Sequence, residues 1–446
     1  MPIRPNLALR ARLALALACA LPAASADAQL HLPSMQLPPL PDRLQRLDAL
    51  DSGQVRDAAR RWLDRTDVGD LRAVRLDQIA RLLQRHGDVL EADPRGQPVV
   101  RREILAWSPG ADGLAAARAA GLTVAGERPM GDGESVLVLR VPDDADTAAA
   151  LAQLRARDPQ GAYDFNHIYT GSGAPAPGQP AAGGAPDQAS RPAATARVGL
   201  IDSGIDRGHE VFRDAAIVSW GCDGVVHPSA HGTAVAALMV GRSSRFQGVA
   251  PRATLYAADI YCDSGAGGSA ARIVAALDWL ARQRVAVINL SLVGPPNQIL
   301  ERAVAGMVKR GHLLVAAVGN DGPAAPALYP ASYPGVVGVS AVDRQDRPLP
   351  EAARGPQVMF AAPGNQMVSA AIGSPPYRMV RGTSFAAPIV ATLLAGALDR
   401  PAPAAARQAL ERMAQRASGT TPGKVNNETG YGVLGTAFRN DPSGFR

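Results

Sequence analysis

Five predominantly apolar runs lie past residue 197: Val198–Ile201, Thr254–Ile260, Val285–Leu292, Leu313–Val318 and Val336–Val339. Such runs read as strands buried on both faces. Helical patterns lie between them. Ala271 to Arg282 sets Ile273, Ala276, Leu277 and Leu280 on one face, and Gln298 to Arg310 does the same with Leu300, Val304, Met307 and Val308. Alternation of strand and helix predicts a parallel α/β sheet with functional residues at strand ends. Near the end, Ile389 to Leu398 is apolar almost throughout, the mark of a buried helix. Its mouth is Arg381-Gly382-Thr383-Ser384-Phe385-Ala386-Ala387-Pro388, with Pro388 expected in the first helical turn, where a missing N–H costs little.

Residues 99–170 have a different texture. Ile104-Leu105-Ala106-Trp107 is extended, Leu114 to Ala120 helical, the stretch near Val124 and Val136–Leu139 extended, Thr147 to Arg157 helical and Tyr163 to Tyr169 extended. This β-α-β-β-α-β order predicts a small α+β, ferredoxin-like domain. Before it, residues 27–98 repeat apolar positions at helical spacing (Leu44, Leu47, Leu50, Val55, then Leu63, Leu71, Ile79, Leu82, Leu83) and carry no evident chemistry. Residues 171–196 are rich in Gly, Pro and Ala and read as a flexible linker open to cleavage.

Composition adds a compartment. Met1 to Ala26 has Arg4, Arg10 and Arg12 without an acid, then the apolar run Leu13–Leu21, then Ala24-Ser25-Ala26, the layout of a secretory signal peptide. That run is too short to cross a bilayer as a helix, so the expectation is a secreted or periplasmic protein without a membrane anchor. Arginine supplies nearly all positive charge, which with abundant Ala, Gly and Pro suggests a bacterial source. Past the signal, Cys222 and Cys262 form a disulfide candidate, and no Cys/His spacing suits zinc. Residues 27–194 hold 19 Lys+Arg against 23 Asp+Glu, and the remainder 24 against 17. No basic run or aromatic-basic motif points to nucleic acid, and an acidic pro-segment docking on a basic domain is the favoured reading.

The candidate chemistry begins at Ser384. A hydroxyl at a helix N-terminus lies beside orphan backbone N–H groups, so attack and stabilisation of an oxyanion share one turn. A base and an orienting carboxylate are then needed. Asp202 follows the first strand in Ile201-Asp202-Ser203-Gly204-Ile205, and His231 opens His231-Gly232-Thr233-Ala234-Val235-Ala236. With Ala317-Val318-Gly319-Asn320 and the closing Gly430-Tyr431-Gly432-Val433-Leu434, these boxes resemble, in order, those of subtilisin-like serine proteases, from about Arg197 to Phe438. The resemblance implies a subtilisin-like peptidase domain over 197–446. In it Asp202 orients, His231 is base then acid, Ser384 attacks and Asn320 joins the oxyanion hole.

It also implies a substrate strand held between Gly265-Ala266-Gly267 and Ser291-Leu292-Val293-Gly294. Val293 stands where relatives usually have glycine, and Leu328 at the pocket base, so small or medium apolar residues are expected before the scissile bond; Asp321 at the rim would instead favour a basic one. The loop Val240–Gln247 lacks the carboxylates of a tight calcium site, chemistry is expected to need no cofactor, and structural calcium elsewhere stays open. Leu154-Arg155-Ala156-Arg157-Asp158-Pro159 and Ala162-Tyr163-Asp164 resemble the family's inhibitory propeptide, implying a zymogen whose own pro-segment is an intramolecular inhibitor and whose substrates are polypeptides. A retained N-terminal interaction module and a non-catalytic binding protein are the alternatives.

Overall fold

The computed structural model describes residues 68–131, 133–171, 174–175, 196–419 and 424–445, all within one compact unit, Leu63–Arg446. The signal peptide, the helical pattern before residue 68 and most of the linker lie outside these residues. Helix α1 (Val68–Arg85) comes first, followed by a hairpin of β1 (Leu90–Ala92) and β2 (Pro98–Trp107). β1 and the turn after it fall in the segment read as helical, whereas β2 is extended as expected. Turn chemistry prevails there: the Asp93 carboxylate accepts from the backbone N–H groups of Arg95 and Gln97, both at 2.8 Å, and closes the turn.

Next come α2 (Ala111–Ala119), β3 (Thr123–Pro129), β4 (Ser135–Arg140), α3 (Thr147–Arg157) and β5 (Ala162–Gly171). The strands pair antiparallel in the order β5-β2-β4-β3, as the β-α-β-β-α-β reading requires. Asp146 caps α3 by accepting from the Ala149 N–H at 2.7 Å, and Leu151 and Leu154 bury its inner face against Ile104, Leu137, Leu139 and Tyr163.

A short strand β6 (Ala174–Pro175) precedes the larger layer. That layer comprises β7 (Arg197–Asp202), β8 (Ala216–Trp220), α4 (Ala230–Val240), β9 (Thr254–Asp259), β10 (Gly268–Ser269), α5 (Ala270–Arg282), β11 (Val287–Leu290) and β12 (Leu292–Val293). It continues with α6 (Gln298–Lys309), β13 (Leu313–Ala317), β14 (Val337–Val342), β15 (Val358–Pro363), β16 (Met367–Ala370), β17 (Tyr377–Arg381), α7 (Thr383–Ala395) and α8 (Pro403–Arg416).

Seven strands form one parallel sheet, β15-β14-β13-β11-β7-β9-β8. Successive side chains alternate faces, so Val198, Leu200, Val287 and Val315 meet α4 and α7, while Ile201, Ile288, Leu290 and Leu314 meet α5 and α6. The small domain's β2 sends Leu105 and Trp107 into this second core, beside Ile273 and Leu277 of α5. Part of its docking is therefore apolar. Charge at the junction includes a pair opposite in sense to the net charges of the two segments, Arg75 with Asp321.

Among the described residues, no helix is long and apolar enough to cross a membrane.

Candidate active site

Asp202 is the last residue of β7 and lies in register with Asp259 at the end of β9, where a parallel sheet exposes strand ends. Its Oδ1 accepts from three donors: His231 Nδ1–H at 2.8 Å, the Ser203 N–H at 2.7 Å and the Ser203 hydroxyl at 3.1 Å. Ser203 Oγ in turn accepts from the Gly232 N–H, tying the carboxylate to the first turn of α4, which carries His231. Burial pulls the imidazole pKa down, but the Asp202 charge and hydrogen bond outweigh it and hold His231 above its ordinary 6.5.

Ser384 is fully buried in the first turn of α7. Gly382 precedes that helix at φ 130°, a backbone conformation that disfavours side chains, and its N–H reaches the Gly364 carbonyl. Asn320 Oδ1 accepts from the Thr383 N–H at 3.0 Å, so the donor end of its amide is the other one. Pro388 does not lie in the first turn as expected. It is the sixth residue of α7, counting from Thr383, so it removes the N–H that would bond the Ser384 carbonyl. Ser291 replaces it: its hydroxyl donates to Ser384 O at 2.8 Å and accepts from Asn289 Nδ2 at 2.8 Å. Ser291 was expected in the substrate wall, and its side chain also supports the helix carrying Ser384.

The structure makes the Asp202–His231 bond and does not make one between His231 and Ser384. His231 Nε2 and Ser384 Oγ are each buried without a hydrogen-bond partner. Catalytic hydrogen bonds often tighten only with a substrate in place.

The expected walls hold a strand of this same chain. Strand β5 pairs antiparallel with β10 (Tyr169 opposite Gly268, Ile168 opposite Ser269) and with β12 (Gly171 opposite Leu292, Thr170 opposite Val293). Tyr169 is fully buried, donates its hydroxyl to the Pro295 carbonyl at 2.7 Å, and lays its ring so close to Gly294 that a Cβ there would fall 2.5 Å away. A Cβ on Gly171 would stand 3.5 Å from the His231 ring. Three residues on, Ala174 pairs with Arg381 of β17, just before Ser384.

Gly265, Ala266 and Gly267 line the β10 side, where a Cβ on Gly267 would come within 2.8 Å of Ile168. Leu328 and Val293, both buried, converge on Gly319 beside Asn320. Cys222 and Cys262 are joined, with Cα atoms 5.4 Å apart.

Sequence reasoning missed several supporting groups. Asn289 was visible as a polar residue inside the apolar run Val285–Leu292. Ser203, Tyr169 and the two-pronged Arg381–Glu351 ion pair at 2.6 and 2.8 Å carried no local signal. His209 donates to the Pro376 carbonyl and His312 to the Val285 carbonyl, both outside the site.

Residues 194–432, just over half the chain, match the profile of the Subtilase family. The chain is 37% identical over 207 residues to "Subtilisin-like protease 1" of Trichophyton rubrum, covering 44% of this chain and 40% of that protein. It is 30% identical over 247 residues to "Minor extracellular protease Epr" of Bacillus subtilis (53% and 37% covered) and 33% identical over 237 residues to "Subtilisin DY" of Bacillus licheniformis (50% and 84%). The matches thus span less than half the length of the first two relatives. Among solved structures, fervidolysin from Fervidobacterium pennivorans, "a keratinolytic enzyme related to subtilisin", superposes with TM-score 0.65 at 19% identity, over 78% of this chain and 62% of that one, and so shares the fold. A parallel α/β sheet with Asp202 and His231 at one end and Ser384 at the mouth of a buried helix, matched by profile, sequence and fold alike, places this chain in the subtilase family.

Proposed function

We propose that the chain is an exported serine endopeptidase made as a zymogen, with its own Ser172–Gly173 bond as the first substrate. One observation carries the reading. Strand β5 lies antiparallel between the two cleft walls and ends at Gly171 against His231, and the chain resumes at Ala174 on β17, beside Ser384. Residues 172 and 173 join those two points in the sequence.

In this reading His231 Nε2 takes the Ser384 proton as Oγ attacks the scissile carbonyl carbon. Asn320 NH2 and the Ser384 N–H receive the oxyanion, and Asp202 stabilises the imidazolium. His231 then protonates the departing amine as the C–N bond breaks. Water, deprotonated by the same imidazole, then attacks the acyl carbon, the bond from that carbon to Ser384 Oγ breaks, and His231 returns the proton to Oγ. The protein's side chains and water suffice for these steps.

Leu328 and Val293 crowd the pocket beside Asn320, which favours a small residue before the cut, and Ser172 is one. Polypeptides in extended form are the substrates, since β10 and β12 read main chain. The signal-like N-terminus and the Cys222–Cys262 bridge support export to an oxidising compartment.

Intact mass over time tests this, with wild type beside Ser384→Ala. The expected result is a fragment beginning at Gly173 in wild type only. Two full-length chains, or a cut elsewhere that Ser384→Ala does not abolish, would refute it.

A further inference from the structure

Helix α1 precedes the ferredoxin-like domain, and the sequence gives it no role. Most of it is exposed, but Leu71, Arg75, Ile79, Leu82, Leu83 and His86 form a half-buried stripe at helical spacing. The stripe bears on the cleft. Arg75 Nε meets Asp321 Oδ2 at 3.1 Å, with side chains only 19% and 15% exposed, and Asp321 directly follows Asn320. At the other end Leu82 and Leu83 pack over Ala266 and Ile168, and the His86 ring lies 3.0 Å from where a Cβ on Gly265 would sit. Arg75 and His86 are eleven residues apart, about 16 Å of helix. That length carries α1 from the rim at Asp321 to the rim at Gly265, above β5.

We infer that α1 is a strap, separate from the small domain's own strand, that latches the cleft shut over β5 through the Arg75–Asp321 pair. The inference deepens the zymogen reading and rests on it for its inhibitory meaning. Three features support it. The pair is partly desolvated, so it is worth more than an exposed ion pair. The apolar end at Ala266 and Ile168 fixes the helix in register. Asp321, held by Arg75, is not offered to an incoming basic side chain while α1 is docked. Burial raises the Asp321 pKa and the Arg75 charge works against that rise, so the carboxylate depends on its partner. Cutting at 172–173 would leave the strap in place, because α1 and β5 belong to the same N-terminal piece.

The test uses the full chain carrying Ser384→Ala, so that no cut intervenes. Amide hydrogen exchange is followed at residues 264–268 and 319–322, with β13 as the internal standard of folding. Arg75→Glu is expected to speed exchange at both rims about tenfold or more while β13 stays protected, and the charge swap Arg75→Asp with Asp321→Arg to restore protection. Unchanged rims in Arg75→Glu overturn the strap, and faster rims that the swap does not slow overturn the latch. A parallel arm keeps Ser384 and times hydrolysis of an unrelated peptide after the first cut. Arg75→Glu is expected to shorten that delay. If no chain hydrolyses peptide while the exchange result holds, the strap stands and the peptidase reading falls.

Discussion

Asp202 does more than hold His231 in place. It is the group that outweighs burial and lifts the imidazole pKa. In the proposed reading His231 is the general base and must be neutral, so activity is expected to fall as pH drops through that raised value. Asp202→Asn removes the raising charge and leaves burial, so the acid limb of the pH–rate profile should move to lower pH. Turnover should fall by about four orders of magnitude, the scale seen when a Ser-His-Asp triad loses its carboxylate. An unmoved acid limb in that variant would show that the carboxylate does not set the base. At this scale the sequence was legible where a residue sits in a local box: Asp202, His231, Asn320 and Ser384. It was silent where the partner comes from elsewhere in the fold, as with Glu351 beside Arg381. The support that the Ser291 hydroxyl gives was hidden for the same reason: only the folded position of Pro388 shows that the Ser384 carbonyl needs a donor.

Among elements, the start of α6 joins the two domains. Asn297 caps it, its Oδ1 accepting from the Ile299 and Leu300 N–H groups, and its Nδ2 donates to the Phe165 carbonyl and to His167 Nδ1 on β5. The Gln298 N–H reaches Asp164 Oδ2 at 2.8 Å, and His167 Nε2 lies 3.2 Å from Asp93 Oδ2. One amide therefore satisfies a helix end and anchors the inhibitor-like strand. Asn297→Ala should lower stability by about 2 kcal/mol, combining a lost cap with buried groups left unpaired, and should free the N-terminal piece sooner after cutting. Urea midpoints and gel filtration of the cut protein measure both, and an unchanged midpoint would contradict the anchoring role.

The long buried elements of this layer were readable from apolar runs. Strands β8 and β15 were not. β8 is a half-exposed edge of five residues, Ala216–Trp220, whose pattern is too short and mixed to stand out. The β1–β2 hairpin was hidden because its first residues continue the helical spacing of α1, and only Asp93 marks the turn.

In the whole molecule, the order of domains was legible because periodicity changes from one to the next. Their manner of docking was not. Net charge suggested an acidic segment on a basic one, whereas Leu105 and Trp107 enter the α5–α6 core and Arg75–Asp321 has the reverse polarity. Such contacts depend on which residues share a face, and totals of charge do not encode that. The Cys222–Cys262 bridge closes a separation of 40 residues just past the ends of β8 and β9. Cys222→Ser with Cys262→Ser should cost about 4 kcal/mol by loop entropy, read as a lower urea midpoint, and a midpoint equal to wild type would count against any stabilising part for the bridge.

The seating of β5 has a second consequence. While it is in place, β10 and β12 each have it as a strand partner, through Gly268 and Leu292. When it leaves, both become open edges facing one another, the kind of surface on which any extended chain, including a misfolded neighbour, can add itself. In the proposed zymogen reading, β5 thus shields the cleft from clumping as well as from substrate, and the protein meets that hazard only after its first cut.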